Sequence, residues 1–327
     1  AVYLALVDGA ATRGWGIPMA TDIAFVVGCL AVLGSRVPQS LRVLLLSLAI
    51  ADDIGAILVI AIGYTTDLSL AALGLGIAGL GLVLGMRLLG VRAIPVYAVV
   101  GTGVWVAFHE SGVHATLAGV ILGLMTPTGA RVSDSGLAHM VERAAELWRG
   151  DAPSDEGPSH AVRQRIALAA RESISPLQRL ENGLHPWSAF LIMPIFALAN
   201  AGVKLEASQL GDPVALAVGA GLVLGKPVGI LVFSFLAVRL GLARLPAGVD
   251  WGMMVGGGLL AGIGFTMSLF IATLGFVAED QAVLLMNAKS GILLGSGLRG
   301  IIGFVILLLT LPKATGTPKS RAASDAG

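Results

Sequence analysis

Long apolar runs divided by short polar turns make up most of this chain, and an adjacent polar pair interrupts the clearest of them. The run Leu41–Tyr64, LRVLLLSLAIADDIGAILVIAIGY, is apolar all round, yet Asp52 and Asp53 sit side by side at its middle. At about 1.5 Å of rise per residue it is long enough to cross a hydrocarbon core of ~30 Å. The same pattern predicts further spans at Trp15–Gly34, Ser69–Leu89, Ala93–Phe108 and Val113–Met125, after a leading partial helix, AVYLALV. Spans resume at His185–Val203, Pro213–Leu240, Trp251–Phe276 and Gln281–Leu311. The expected fold class is an all-α polytopic membrane protein of about nine full crossings plus the partial one. Its blocks are residues 1–125, a hydrophilic loop over 126–184, a second membrane block over 185–311 and a disordered tail over 312–327. The middle of the loop, DAPSDEGPS, reads as linker, and its flanks, Leu137–Arg149 and His160–Arg171, read as surface helices.

Composition agrees with the pattern. Charged residues are 13% of the chain and hydrophobic residues 56%, where a soluble domain carries about 25% charge. The 45 glycines suit close helix packing in lipid. A net charge of +1 gives no nucleic-acid signal, and a single cysteine, Cys29, excludes an internal disulfide. The chain opens without Met in the end of an apolar segment, so a piece lacking its N-terminus is expected. Basic residues set the orientation: Arg36, Arg42, Arg87, Arg92, Arg239 and Arg244 fall on the side of the long loop and tail, against Arg13 and Lys204 opposite. By the positive-inside rule that side, with the C-terminus, is cytoplasmic.

Charges within spans are few: Asp22, Asp52, Asp53, Lys226, Lys289 and Arg299. An ionised Asp at the centre of a membrane helix costs about 2.5–3.5 kcal/mol on insertion scales, so an adjacent pair points to an ion or proton site. Neighbours on a helix diverge by about 100°, which lets one carboxylate face a cavity and the other a partner helix. Lys226 in LVLGKPVGI lies too deep to reach an interface, about 15 Å away, and its partner is expected among the Asp pair. Lys289 lies near a span end, and Arg299 faces either the bundle or a headgroup. Two spans look broken, at GWGIPMATDIAF around Thr21 and Asp22, and at GGGLLAGIGFTMSLF, where Gly262 and Gly264 precede Thr266. Unwound backbone is tolerated in a membrane only where it lines protein or a cavity, and broken helices bring dipole ends to the midplane. An Asp and a Lys there would neutralise them. One such interruption in each half points to a transporter built from inverted repeats.

In order, IPMATDIAF, LAIADDIGA, SGVHATLAGVILG, RLENGLHPW, FALANAGV, GKPVGI and GIGFTMSLFIA resemble the NhaA family of Na⁺/H⁺ antiporters over roughly Trp15–Leu311. The resemblance implies that family's inverted-repeat bundle, with two discontinuous helices crossing at the midplane. It implies Asp52 and Asp53 as the ion-binding aspartates and Lys226 as the lysine paired with the first. It puts Thr21 and Asp22 at the unwound crossing, and His114, Glu181 and His185 at positions tied to pH response. It implies a secondary transporter of a bacterial inner membrane, not an enzyme, exporting Na⁺ or Li⁺ for protons, pH-regulated and without a cofactor. Departures are visible. The family pattern begins with two further helices and most of a third, and with a β-hairpin that assists homodimer formation; Gln178 stands where some members have a basic residue. The alternative from the residues alone is a proton- or Na⁺-coupled symporter of a small organic acid. A membrane aspartyl protease does not fit, because its carboxylates come from separate helices.

Overall fold

The computed structural model describes residues 1–65, 68–91, 93–129, 135–136, 138–143, 167, 173–202, 209 and 211–312. The expected linker, most of the loop flanks and the tail from Lys313 lie outside the described residues. Every regular element among the described residues is helical, with no strand. The helices are α1 (Ile23–Leu33), α2 (Gln39–Gly63), α3 (Leu70–Leu88), α4 (Ile94–Glu110), α5 (Thr116–Met125), α6 (Pro176–Trp187), α7 (Met193–Ala201), α8 (Pro213–Ala220), α9 (Lys226–Arg239), α10 (Trp251–Leu260), α11 (Phe265–Gly275) and α12 (Ala282–Thr310). A tight 3₁₀ segment, Gly9–Met19, precedes α1, and π-helical turns join α6 to α7 (Ser188–Ile192) and α8 to α9 (Gly221–Gly225).

Five helical stretches among the described residues are long and apolar enough to cross a bilayer, and the bent pair α10 and α11 makes a sixth. The sequence expects more crossings. Helix α5, with 10 residues, is too short to cross alone, α4 with 17 sits at the lower limit of a crossing, and the span expected over His185–Val203 is divided between α6, a π-helical turn and α7. The helix expected from His185 instead reaches back to Pro176. There Ser175 accepts from the Gln178 N–H at 3.1 Å and proline, needing no intrahelical donor, takes the first turn.

Two compact units divide the chain, Ala1–Tyr64 with Phe196–Gly327, and Thr65–Ile195. In the first, α12 packs along α10 and α8, and the 3₁₀ segment packs on α11. Small residues allow this approach: a Cβ on Gly291 would strike the backbone of Ala215, and one on Gly303 would lie 3.0 Å from the Leu260 nitrogen. Close backbone contact of this kind holds helices together where lipid offers no hydrophobic drive. In the second unit, α3, α4 and α5 pack around Val104, Phe108 and Ala118, and beside them lies an apolar cavity of about 540 Å³ bordered by Tyr97, Trp105 and Leu180.

Helix α2 explains how an apolar run carries two acids. Leu41, Leu45, Ala49, Ala56 and Ile60 are buried, while Val43, Leu46, Ile50, Ile54, Leu58 and Ile62 are exposed, as suits a lipid-facing stripe. Asp52 and Asp53 fall three and four residues beyond Ala49 and so on the buried side.

Candidate functional site

The site is assembled within the first unit, where two interruptions of helix lie against each other. Between the 3₁₀ segment and α1, Ala20 (φ −69°, ψ 150°) and Asp22 (φ −95°, ψ 94°) are extended. Pro18 lacks an N–H, and α-helix resumes only when Asp22 caps α1 by accepting from the Phe25 N–H at 3.3 Å. Between α10 and α11, Ala261–Gly264 separate segments bent by 46°. The main chains join where the Asp22 N–H donates to the Ile263 carbonyl at 2.6 Å. Ser268 Oγ donates to the Ile17 carbonyl at 2.8 Å. Gly264 is required there, because a Cβ would strike Ser268 Oγ and lie 3.1 Å from the Ala20 carbonyl oxygen.

Asp22 is buried to 1% exposure and serves the start of α11 as well as α1: its Oδ2 accepts from the Thr266 N–H at 3.0 Å and from Thr266 Oγ1 at 2.6 Å. A carboxylate at the positive ends of two helices is favoured electrostatically.

Lys226 opens α9 immediately after the π-turn. Pro227 follows it and cannot donate into the helical ladder, and wide turns of this kind are common at functional sites. Gly221 brings this turn onto the 3₁₀ segment, since a Cβ there would lie 2.8 Å from Pro18. The three ammonium protons find three acceptors: the Met19 carbonyl at 2.7 Å, Asp52 Oδ2 at 3.0 Å and the Thr21 hydroxyl oxygen. Thr21 Oγ1 lies 2.7 Å from Asp52 Oδ2 and 2.9 Å from the Ala261 carbonyl, so one hydroxyl ties both interruptions to the ion pair. Lys226 and Asp52 side chains are 9% and 23% exposed. A cavity of about 560 Å³ reaches both, bordered by Tyr3, Trp15, Pro18 and Phe233.

Asp53 differs from its neighbour. Its Oδ1 is buried and has no hydrogen-bond partner among the described residues. A carboxylate oxygen placed in this way needs a cation or a hydrogen-bond donor to hold its charge, or a proton to remove it.

Of the residues singled out in the sequence, Thr21, Asp22, Asp52, Lys226, Gly262, Gly264 and Thr266 are thus brought together at the two interruptions, with Asp53 the next residue of α2. His114 lies between α4 and α5, with Nδ1 3.1 Å from Thr116 Oγ1, and Glu181 and His185 are exposed on α6. All three belong to the other unit. Two participants escaped the sequence reading, the carbonyls of Met19 and Ala261, because every residue offers a carbonyl and only the break exposes these. A third, Arg299, was legible as an intramembrane charge but not as a neighbour of Gly262.

The family described as Na⁺/H⁺ antiporter 1 matches residues 1–307 of this chain. A Na⁺/H⁺ antiporter NhaA of Rhodopirellula baltica is 54% identical over 316 residues, covering 96% of this chain and 71% of the relative. The Na⁺/H⁺ antiporter NhaA 3 of Acidiphilium cryptum is 51% identical over 327 residues, 100% of this chain and 71% of the relative. A third, NhaA of Rhizobium meliloti, is 50% identical over 313 residues, covering 95% and 71%.

Proposed function

Because the chain belongs to the Na⁺/H⁺ antiporter 1 family, a family of multi-pass membrane transporters and not enzymes, we propose that its exchange site is Asp52 and Asp53 with Lys226 as charge partner. One observation carries this reading: of two adjacent, partly buried carboxylates, Asp52 is paired with Lys226 and lies in hydrogen-bond reach of the Thr21 hydroxyl, while Asp53 keeps one buried oxygen, Oδ1, without a hydrogen-bond partner among the described residues. The trio carries one net negative charge. Protons or a hard monovalent cation, Na⁺ or Li⁺, neutralise it in turn, and the competition between them is the antiport. Facing outward the site collects protons; facing inward it releases them and takes Na⁺, so protons moving inward drive Na⁺ out. A rising internal pH strips protons from the site and favours Na⁺ binding, which makes the exchange pH-dependent without any catalysed step.

The hydrogen bonds between residues 17–22 and 261–268 support two discontinuous helices crossing near the midplane of an inverted-repeat bundle. Unwound backbone is acceptable there because Asp22, Lys226 and Thr21 satisfy its ends. Membrane blocks over 1–125 and 185–311, the loop over 126–184 and the tail over 312–327 complete the proposed arrangement. The tail is cytoplasmic, the bilayer is a bacterial inner membrane, and no cofactor is required. His114, Glu181 and His185 are the candidates for pH response that the family resemblance offers. The test is Na⁺- and Li⁺-induced proton movement, followed with a ΔpH-sensitive dye in everted vesicles. Wild type responds and Asp52→Asn or Asp53→Asn, inserted normally, falls to background; retained exchange in both variants sinks the assignment.

A further inference from the structure

The last helix carries a cation that touches neither carboxylate of the pair. Arg299, on α12, is fully buried. Its Nη2 donates to the Gly258 carbonyl at 2.9 Å, while Nε and Nη1 have no partner among the described residues. That carbonyl belongs to the last turn of α10, and the backbone passes it over: the N–H groups of Ala261, Gly262 and Ile263 go to Gly257, Leu259 and Leu260. Helix ends leave such carbonyls in need of a donor, and they carry the negative end of the dipole. The guanidinium occupies the space that Gly262 leaves; a Cβ on Gly262 would fall within it. Burying a cation is costly, and the end of α10 offsets that cost where a leucine would have packed more simply. Each interrupted segment therefore meets its own cation at its C-terminal end, Lys226 at Met19 and Arg299 at Gly258.

Across the same break, the Ala261 carbonyl faces Thr21 and the Ile263 carbonyl faces the Asp22 N–H. We propose that Arg299 is a positioning residue for the exchange: held at Gly258 and lodged beside Gly262, it fixes the two carbonyls on which Thr21 and Asp22 rest, and through Thr21 the geometry of the Asp52–Lys226 pair. This role rests on the exchange site proposed above. It also explains Gly262 by the bulk of the guanidinium it admits, in addition to any freedom of its backbone.

The test uses Arg299→Gln, Arg299→Lys, Gly262→Ala and the double variant Gly262→Ala with Arg299→Ala. Everted vesicles report half-saturating Na⁺ and maximal rate separately, with insertion measured alongside. Losing a charged donor to a buried carbonyl is expected to raise half-saturating Na⁺ in Arg299→Gln by about tenfold, and Arg299→Lys recovers most of that loss. Gly262→Ala alone is severely impaired and regains exchange when Arg299→Ala vacates the space. Half-saturation unchanged in Arg299→Gln, with only the inserted amount reduced, overturns the role and leaves a scaffold residue. Gly262→Ala equally impaired in both backgrounds refutes the occupancy on which it stands. Should Arg299→Gln fail to insert, the Gly262 pair decides alone. A silent wild type, or exchange retained in both Asp52→Asn and Asp53→Asn, refutes the exchange site itself; an active wild type with unaltered Arg299 variants refutes only the positioning.

Discussion

Replacing Lys226 by methionine keeps most of the side-chain volume and removes the charge together with three hydrogen bonds. The ammonium is met by Met19, Thr21 and Asp52, and its side chain is 9% exposed. Breaking one partner out of a buried ion pair costs about 3–5 kcal/mol, chiefly because the other charge stays buried and uncompensated. The lost hydrogen bonds are part of that figure and are not added to it. Asp52, at 23% exposure, recovers some hydration, which puts the expected loss near the lower end, about 3 kcal/mol. Equilibrium unfolding in mixed detergent–SDS micelles measures it. The double variant Asp52→Asn with Lys226→Met leaves neither charge stranded, so its loss is smaller than the sum of the two singles by about 0.5–3 kcal/mol, the range for residues in direct contact. Additive singles, or a Lys226→Met loss below about 1 kcal/mol as for an exposed pair, would refute the buried pairing.

Two further outcomes follow from the same geometry. Asp22→Ala strips the caps from both α1 and α11, leaving the Thr266 and Phe25 N–H groups without their acceptor; a loss of about 2–4 kcal/mol in the same unfolding assay is expected, at about 1–2 kcal/mol per cap. Gly291→Ala drives a methyl group into the Ala215 backbone of α8, and overpacking of this kind costs about 1–3 kcal/mol, read as a lower melting temperature without loss of the site residues.

The acids and the lysine were legible because an apolar run gives a charge no company, so each one stands out and asks for a partner. Which face of α2 Asp52 and Asp53 share could not be read, because the run is apolar all round and only packing separates the buried Leu45, Ala49, Ala56 and Ile60 from the exposed stripe. The early start of α6 was not read, although Ser175–Pro176 carries a capping signal; the amphipathic segment Pro176–Trp187 is too polar for a search by apolarity. The carbonyls of Met19 and Ala261 could not be read, since a backbone oxygen becomes special only where a helix stops. Arg299 illustrates the division. Its charge is visible in LLGSGLRGIIG, but its acceptor lies on α10 and its space exists only because Gly262 has no side chain.

Adjacency of the two carboxylates has a physical consequence that separates their roles. About 100° of helix rotation turns Asp52 to Lys226 and Thr21, and leaves Asp53 with a buried oxygen that nothing in the described residues meets. One carboxylate with the lysine would form a neutral pair and hold no cation. Two carboxylates without it would carry two partly buried negative charges, against the one that a single monovalent ion can neutralise. If the proposed site is right, exchange is expected to fail in either Asp→Asn variant, but stability moves differently. Asp52→Asn strands the Lys226 charge and is expected to cost about 3 kcal/mol. Asp53→Asn removes the charge from a carboxylate whose buried Oδ1 has no hydrogen-bond partner among the described residues and leaves the Asp52–Lys226 pair intact, so stability in the unfolding assay is expected to stay level or rise. Equal losses in the two variants would mean that the carboxylates share one environment, and the division of labour between them would fall.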